Sequence, residues 1–183
     1  MPEKVDLARE RPKLLARGGA GMVVCAIVLT SAYLWPGAWM PLPEAVADRI
    51  GFALRADAFV ILWVLIAIQR VSSGRYNSPV DNRGSAYGPP SPALALKIAF
   101  LQNTLEQAFV AIGAHLALSA ATGGAVLALI PASVLLFAVG RAAFLIGYPH
   151  GAGGRAFGIV MTMVPSYVLL GIALWHIVAR AFG

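Results

Sequence analysis

Long apolar runs dominate this chain, with most of its polar residues at the edges of the runs. A helix needs about 20 apolar residues to cross a bilayer. Five stretches meet or approach that length: Gly19–Met40, Arg49–Arg70, Ala93–Ala121, Ala125–Gly147 and Ala156–Ala179. They predict an all-α integral membrane protein with five spans. The second run carries Arg55 and Asp57 in its first turns, and Ala58–Ile68 beyond them is strongly apolar. Arg55 is long enough to snorkel to the nearer surface. Asp57 is shorter and is expected to face a neighbouring helix. The first run follows basic residues, as a signal peptide would. Its apolar stretch is long and no small-x-small cleavage site follows, so it is expected to remain as a span, with Trp35 and Trp39 as an interfacial belt.

Composition agrees. Of 183 residues, 59% are hydrophobic and 12% charged, against about 45–50% and about 25% in a soluble domain. The net charge of +6 is explained by where the cations sit, so nucleic acid is not implied. Lys4, Arg9, Arg11, Lys13 and Arg17 precede the first run; Arg70, Arg75, Arg83 and Lys97 surround the second connection; Arg141 and Arg155 flank the last one. The other side has Arg49, Arg55 and Arg180. Lys and Arg concentrate on the cytoplasmic side of membranes, which predicts a cytoplasmic N-terminus and a periplasmic C-terminus. Cys25 is the only cysteine, so neither an intrachain disulfide nor a cysteine-based metal site is expected. Val71–Pro92 is the only long connection. It is rich in turn residues and reads either as a flexible linker or as a lid over a cytoplasmic-side site.

The third run is interrupted by Gln102-Asn103-Thr104-Leu105-Glu106-Gln107. A carboxylate near hydrocarbon costs several kcal/mol unless it is paired, protonated or facing a wet cavity. Asn103 and Glu106 share a helical face. Lys97 lies on another side, so the partner of Glu106 is expected from another helix or a ligand. A second cluster spans the turn between the last two runs, from Arg141 through Phe144, Gly147, Tyr148 and Pro149 to Arg155. Arg141, Phe144 and Tyr148 share a face, and Arg155 opens the final helix, where free backbone N–H groups add positive potential. This group suits an anion. By the charge bias, both clusters lie at the same membrane face.

Together the two clusters resemble the MAPEG family, the membrane-associated proteins of eicosanoid and glutathione metabolism. That family has an Asn-x-x-Glu pair, matched here by Asn103 and Glu106. It also has an Arg-x-x-Tyr-x-x-Gly-Tyr run followed by an Arg, matched in spacing by Arg141, Gly147, Tyr148 and Arg155. The resemblance covers about Arg49 to the C-terminus. It implies a four-helix MAPEG-like domain over 49–183, with the loop 71–92, preceded by a cytoplasmic tail (1–18) and an extra transmembrane helix (19–40). It further implies homotrimers that bind glutathione between subunits as a co-substrate, with no metal. Asn103, Glu106, Arg141 and Tyr148 would bind the tripeptide, and Arg70, at the end of its helix, a glutathione carboxylate. Arg155 would be the catalytic residue, stabilising the thiolate. The implied activity is that of a transferase or peroxidase acting on a lipophilic small molecule from the membrane lipid, and the implied location is a bacterial inner membrane. The chain differs from the family pattern at Ala99, where many members have Arg, at Gln107, where some have Tyr, and at Phe144, which replaces a Tyr.

Besides a proton or ion path through Glu106 and Asp57, two alternatives stay open. One is a non-catalytic relative, a membrane scaffold or a binder of another anionic or lipid ligand. In it, Asn103 and Glu106 would hold helices together. The other is a haem protein ligated by His115 and His176, which lie at similar depth.

Overall fold

The computed structural model describes residues 6–36 and 41–182. All regular structure among them is helical: α1 (Leu7–Leu34), α2 (Val46–Tyr76), α3 (Pro92–Ala121), α4 (Leu129–Gly147) and α5 (Gly151–Phe182). Short 3-10 turns at Gly124–Ala128 and Tyr148–His150 precede and follow α4. Local chemistry sets the boundaries. Asp6 caps α1 by accepting the Ala8 N–H at 3.0 Å, and Ser91 caps α3 by accepting that of Leu94 at 3.3 Å, with Pro92 in the first turn, where no N–H is needed. Gly151, at φ +77°, is the residue on which the chain reverses into α5.

Four segments are long and apolar enough to cross a membrane: α1, α2, α3 and the continuous helical stretch Gly124–Phe182. That last stretch contains both α4 and α5 and folds back on itself. Gly140 lies against Gly158 and Thr162, Gly147 lies against Gly154, and a Cβ on Gly158 would fall on the backbone of Phe144 and Gly140. Small residues allow the two helices this close approach. Gly140 thus fulfils the packing role its size suggests, whereas Gly113 faces open space.

Some boundaries differ from the sequence expectation. α1 begins at Leu7, so most of the expected tail is helical. α2 continues through Tyr76, so Arg70 sits inside a helix rather than at its end, and the connection after it is shorter than expected. Lys4, Trp39 and Met40 lie outside the described residues.

α5 packs against α4, α1 and α3, while α2 packs mainly against α3. Three apolar layers follow from this arrangement. Cys25, Leu118, Leu127, Ile130 and Leu169 fill one end. Val60, Ala108, Ala111 and Phe137 fill the middle, and Ala67, Phe100 and Phe144 the other end. Large apolar side chains such as Phe109, Ile146 and Trp175 point outward, as expected of surfaces that meet lipid.

The connection between α2 and α3 is organised by one carboxylate. Asp81 is buried and accepts from the Ser91 N–H at 2.8 Å, the Ser91 hydroxyl at 2.7 Å and the Ser78 hydroxyl at 2.8 Å. These bonds, led by that from the Ser91 backbone, hold its carboxyl below the usual Asp value. A depressed native value means that the stabilisation is present above the unfolded-state value and is lost as pH falls through the native one. Amide exchange across residues 78–91 is therefore expected to stay slow from neutral pH down to about pH 4 and to accelerate below it. Asp81→Asn should weaken protection at neutral pH and remove the acid transition.

Candidate functional site

The two polar clusters meet inside the bundle. Arg141 on α4 is fully buried. Its Nη1 donates to Asn103 Oδ1 on α3 at 2.8 Å, and its Nη2 donates to Thr162 Oγ1 on α5 at 2.7 Å. The guanidinium carbon lies 4.7 Å from the centre of the Phe144 ring and 5.6 Å from that of Phe137. One guanidinium thus ties three helices together through two hydrogen bonds and aromatic faces. No carboxylate lies within 4.0 Å of it among the described residues, and its Nε is buried without a partner. Within the chain, Arg141 therefore ties α3, α4 and α5 together, with its Nε left over.

An aromatic ladder leads outward from this clamp. Phe100 stacks on Phe144 with centroids 6.0 Å apart, and Phe144 meets Tyr148 edge-on at 5.2 Å. The guanidinium of Arg155 lies 5.0 Å from the centre of the Tyr148 ring. Tyr148 and Arg155 are half-buried. The ladder runs between two cations, one sealed in the core and one open to the surface. Phe144 lacks the hydroxyl of a tyrosine, but its ring is what both Arg141 and Tyr148 pack on.

Glu106 points out of the chain and is exposed. Its partner is Gln102, one turn earlier, whose Nε2 donates to Oε1 at 3.2 Å. Among the described residues no partner for it comes from another helix of the chain, which leaves the other expectation, a ligand. The N-terminus of α5 is already occupied by an anion of its own: Glu10 Oε2 accepts the Gly153 N–H at 3.1 Å. Arg17 donates to the Gly153 carbonyl at 3.3 Å, and Lys13 pairs with Glu10 at 3.1 Å. The start of α1 thus grips the turn that precedes Arg155. Arg70 stands apart from these residues, in a groove on α2 shared with Lys97.

A further polar group lies elsewhere in the core. His115 on α3 is fully buried, Asp57 and Ser133 nearly so. His115 Nδ1–H donates to Asp57 Oδ1 on α2 at 2.6 Å, and Nε2 shares a hydrogen with the Ser133 hydroxyl on α4 at 2.9 Å. Asp57 does face a neighbouring helix. Both ring nitrogens of His115 are engaged, which removes it as a haem ligand. The order Asp–His–Ser matches that of hydrolytic triads, but the nearest groove does not reach it. That groove is lined by Phe52, Ala56, Phe59, Pro131 and Val134. On α2, Asp57 shares its buried face with Ala53 and Val60 instead. The group is a polar tie among α2, α3 and α4.

Thr162, Ser133 and Glu10 carried no signal of their own in the sequence. Asp57 and His115 did: each is an ionisable side chain within an apolar run, and such groups inside membranes pair with one another.

The MAPEG family model matches residues 51–175, a stretch that begins in α2 and ends in α5. No curated protein matches the chain, and no solved structure does.

Proposed function

Because the chain belongs to the MAPEG family, we propose that it is a glutathione-dependent membrane transferase or peroxidase. The observation that carries this reading is the 2.8 Å bond between Arg141 and Asn103. It joins the two motifs into one place. Asn103 is fixed by Arg141, Glu106 faces outward beside it, and the ladder through Phe144 and Tyr148 ends on Arg155. The charges that remain presented are one carboxylate and one guanidinium, a pattern that complements a zwitterionic tripeptide. In this reading Glu106 takes the glutathione amino group, Tyr148 lines the site, and Arg155 faces the sulfur. Arg141 acts by positioning Asn103, and Arg70, in its groove on α2, takes a glutathione carboxylate at a site completed by another copy.

A cation near a thiol favours the thiolate over the free thiol, whose ordinary pKa is about 8.5. The sulfur's electron pair then forms a bond to an electrophilic carbon as the leaving group departs with the old bonding pair, or takes the terminal oxygen of a hydroperoxide, breaking the O–O bond to give a sulfenic acid and an alkoxide. A second glutathione then condenses with the sulfenic acid to the disulfide and water. Glu106 is exposed on the single chain, which supports a site completed by another copy, and we read the assembly as a homotrimer. α4 and α5 form a hairpin of two helices, which supports five spans. The distribution of Lys and Arg supports a cytoplasmic N-terminus and a C-terminus on the opposite side. The Ala-, Gly- and Arg-rich composition and the family resemblance support a bacterial inner membrane, which would make that side periplasmic.

Calorimetric titration of glutathione into the detergent-purified protein tests the binding step. Binding at millimolar or lower concentration is expected, weakened about tenfold in Glu106→Gln, the scale of a lost charge-assisted hydrogen bond. Absence of heat in the wild type leaves the second reading, a non-catalytic scaffold. The departures from the family pattern at Ala99, Gln107 and Phe144 favour that alternative.

A further inference from the structure

The turn into α5 is built largely of glycine. Gly147, Gly151, Gly153, Gly154 and Gly158 fall within a dozen residues, and glycine has the freest backbone. The first N–H groups of α5 have no partner within the helix. The residue before α5 is His150, not the Ser, Thr, Asp or Asn that ordinarily caps a helix. Glu10 fills that role from α1: its Oε2 accepts the Gly153 N–H at 3.1 Å. Arg17, on the same side of α1, donates to the Gly153 carbonyl at 3.3 Å. Both polar groups of one glycine are thus held by one helix. Lys13 pairs with Glu10 and lays its stem on the same residue. A Cβ on Gly153 would come 2.9 Å from Lys13 Cβ and 3.2 Å from Glu10 Oε2, so the bare backbone is what lets α1 come this close.

Arg155 follows Gly153 closely, near the start of the same helix. Its guanidinium rests 5.0 Å from the centre of the Tyr148 ring, and that contact needs α5 to be wound from Gly151 onward. When the first turn of α5 unwinds, Arg155 leaves the ring it rests on. The helix that holds the turn precedes the family-matched stretch, which starts at residue 51. Glu10 and Arg17 are therefore features of this chain that the family motifs do not contain.

We propose that α1 is a positioning element for Arg155: Glu10 and Arg17 hold Gly153 between them and so keep the Arg155 guanidinium where it favours the glutathione thiolate. This rests on the thiolate role proposed above for Arg155. Glu10 and Arg17 touch neither the tripeptide nor its sulfur, and act through the backbone of the turn. The sign of the effect separates position from charge. Removing a carboxylate near a thiolate favours the thiolate. Removing the cap releases Arg155 and disfavours it. Glu10→Ala is therefore expected to lower the thiolate, against the direction of its own charge.

The test takes two readings on the full chain in detergent. One is the rate at which phenylglyoxal modifies Arg155, followed by peptide mass spectrometry without glutathione. The other is the pH titration of the thiolate band near 240 nm with millimolar glutathione. In Glu10→Ala the modification is expected to speed up about fivefold, the factor that a lost helix cap corresponds to. The apparent thiol pKa is expected to rise by about 0.7 unit, the same factor. Glu10→Gln keeps an oxygen for the Gly153 N–H and should restore most of both. Arg17→Met removes the other contact and should act in the same direction as Glu10→Ala, so the proposal stays testable should that variant fail to fold. Arg11→Gln, exposed on the same helix, controls for net charge and should change neither reading. An Arg155 modification rate unchanged in Glu10→Ala and Arg17→Met overturns the proposal. So does a thiol pKa that stays or falls in Glu10→Ala, or an equal response in Arg11→Gln. No thiolate band in the wild type contradicts the glutathione reading instead, and the modification rate then decides by itself whether α1 holds Arg155.

Discussion

Replacing His115 by leucine is expected to remove about 3–5 kcal/mol of stability, the scale on which breaking one side of a buried charged pair is felt. In a chain of this size that corresponds to a fall of roughly 10 °C in thermal midpoint. The reason is the neighbour. Asp57 is 1% exposed and its Oδ1 lies 2.6 Å from His115 Nδ1. Its Oδ2 already lacks a partner. Leucine would leave the whole carboxylate unsatisfied on the buried face of α2 that it shares with Ala53 and Val60. Ser133→Ala should cost less, about 1–3 kcal/mol, because it leaves one ring nitrogen unpaired rather than a carboxylate. His115→Leu/Asp57→Leu should recover much of the loss, since removing both partners of a buried polar pair is far milder than removing one. Thermal melting of the three variants in one detergent checks the series. A midpoint for His115→Leu within a degree of the wild type would mean that the pair does not hold the helices together.

The same cluster shows where sequence reading reaches its limit. The apolar runs, the hairpin turn and the family were legible because each rests on a local signal: run length, Gly and Pro at Gly147–Gly151, and fixed spacings around Asn103 and Arg141. Helical periodicity also separated Lys97 from Glu106 correctly. Which residue meets which across helices was not legible. Asp57 and His115 were each visible as ionisable groups in apolar surroundings, but their sequence separation spans a loop and two helices. The rotation of α2 against α3 that joins them is fixed by packing. Ser133 and Thr162 are ordinary residues of membrane helices until an arginine or a histidine is placed beside them.

The candidate site was legible in its motifs and not in the roles of its members. Arg141 shares the spacing that suggests a ligand-binding residue, and the spacing did not show that it also bridges Asn103 and Thr162. Phe144 departs from the family pattern in losing a hydroxyl, yet its ring is the step between Arg141 and Tyr148. The α5 N-terminus looked open to an anion because α1 is remote from it in sequence. Glu10 reaches it because α1 extends as a helix to Leu7 and lies along α5, with Gly21 packed on Phe157 and Val160.

The central claim is that Arg155 favours the thiolate of a bound glutathione. Arg155 is the outermost member of the ladder, half-buried against Tyr148. No carboxylate lies within 4.0 Å of it among the described residues, so its charge is available to sulfur. Arg155→Ala removes that charge and leaves the Arg141 clamp in place, so the fold and tripeptide binding should persist while the thiolate is lost. Removing a group that stabilises developing charge typically costs on the order of a hundredfold in rate. The measurement that tests this most directly is the ultraviolet difference spectrum near 240 nm, where a thiolate absorbs, of the detergent-purified protein with millimolar glutathione at neutral pH. The account predicts a thiolate band in the wild type and none in Arg155→Ala. No band in the wild type, or a band of equal height in the variant, would contradict it.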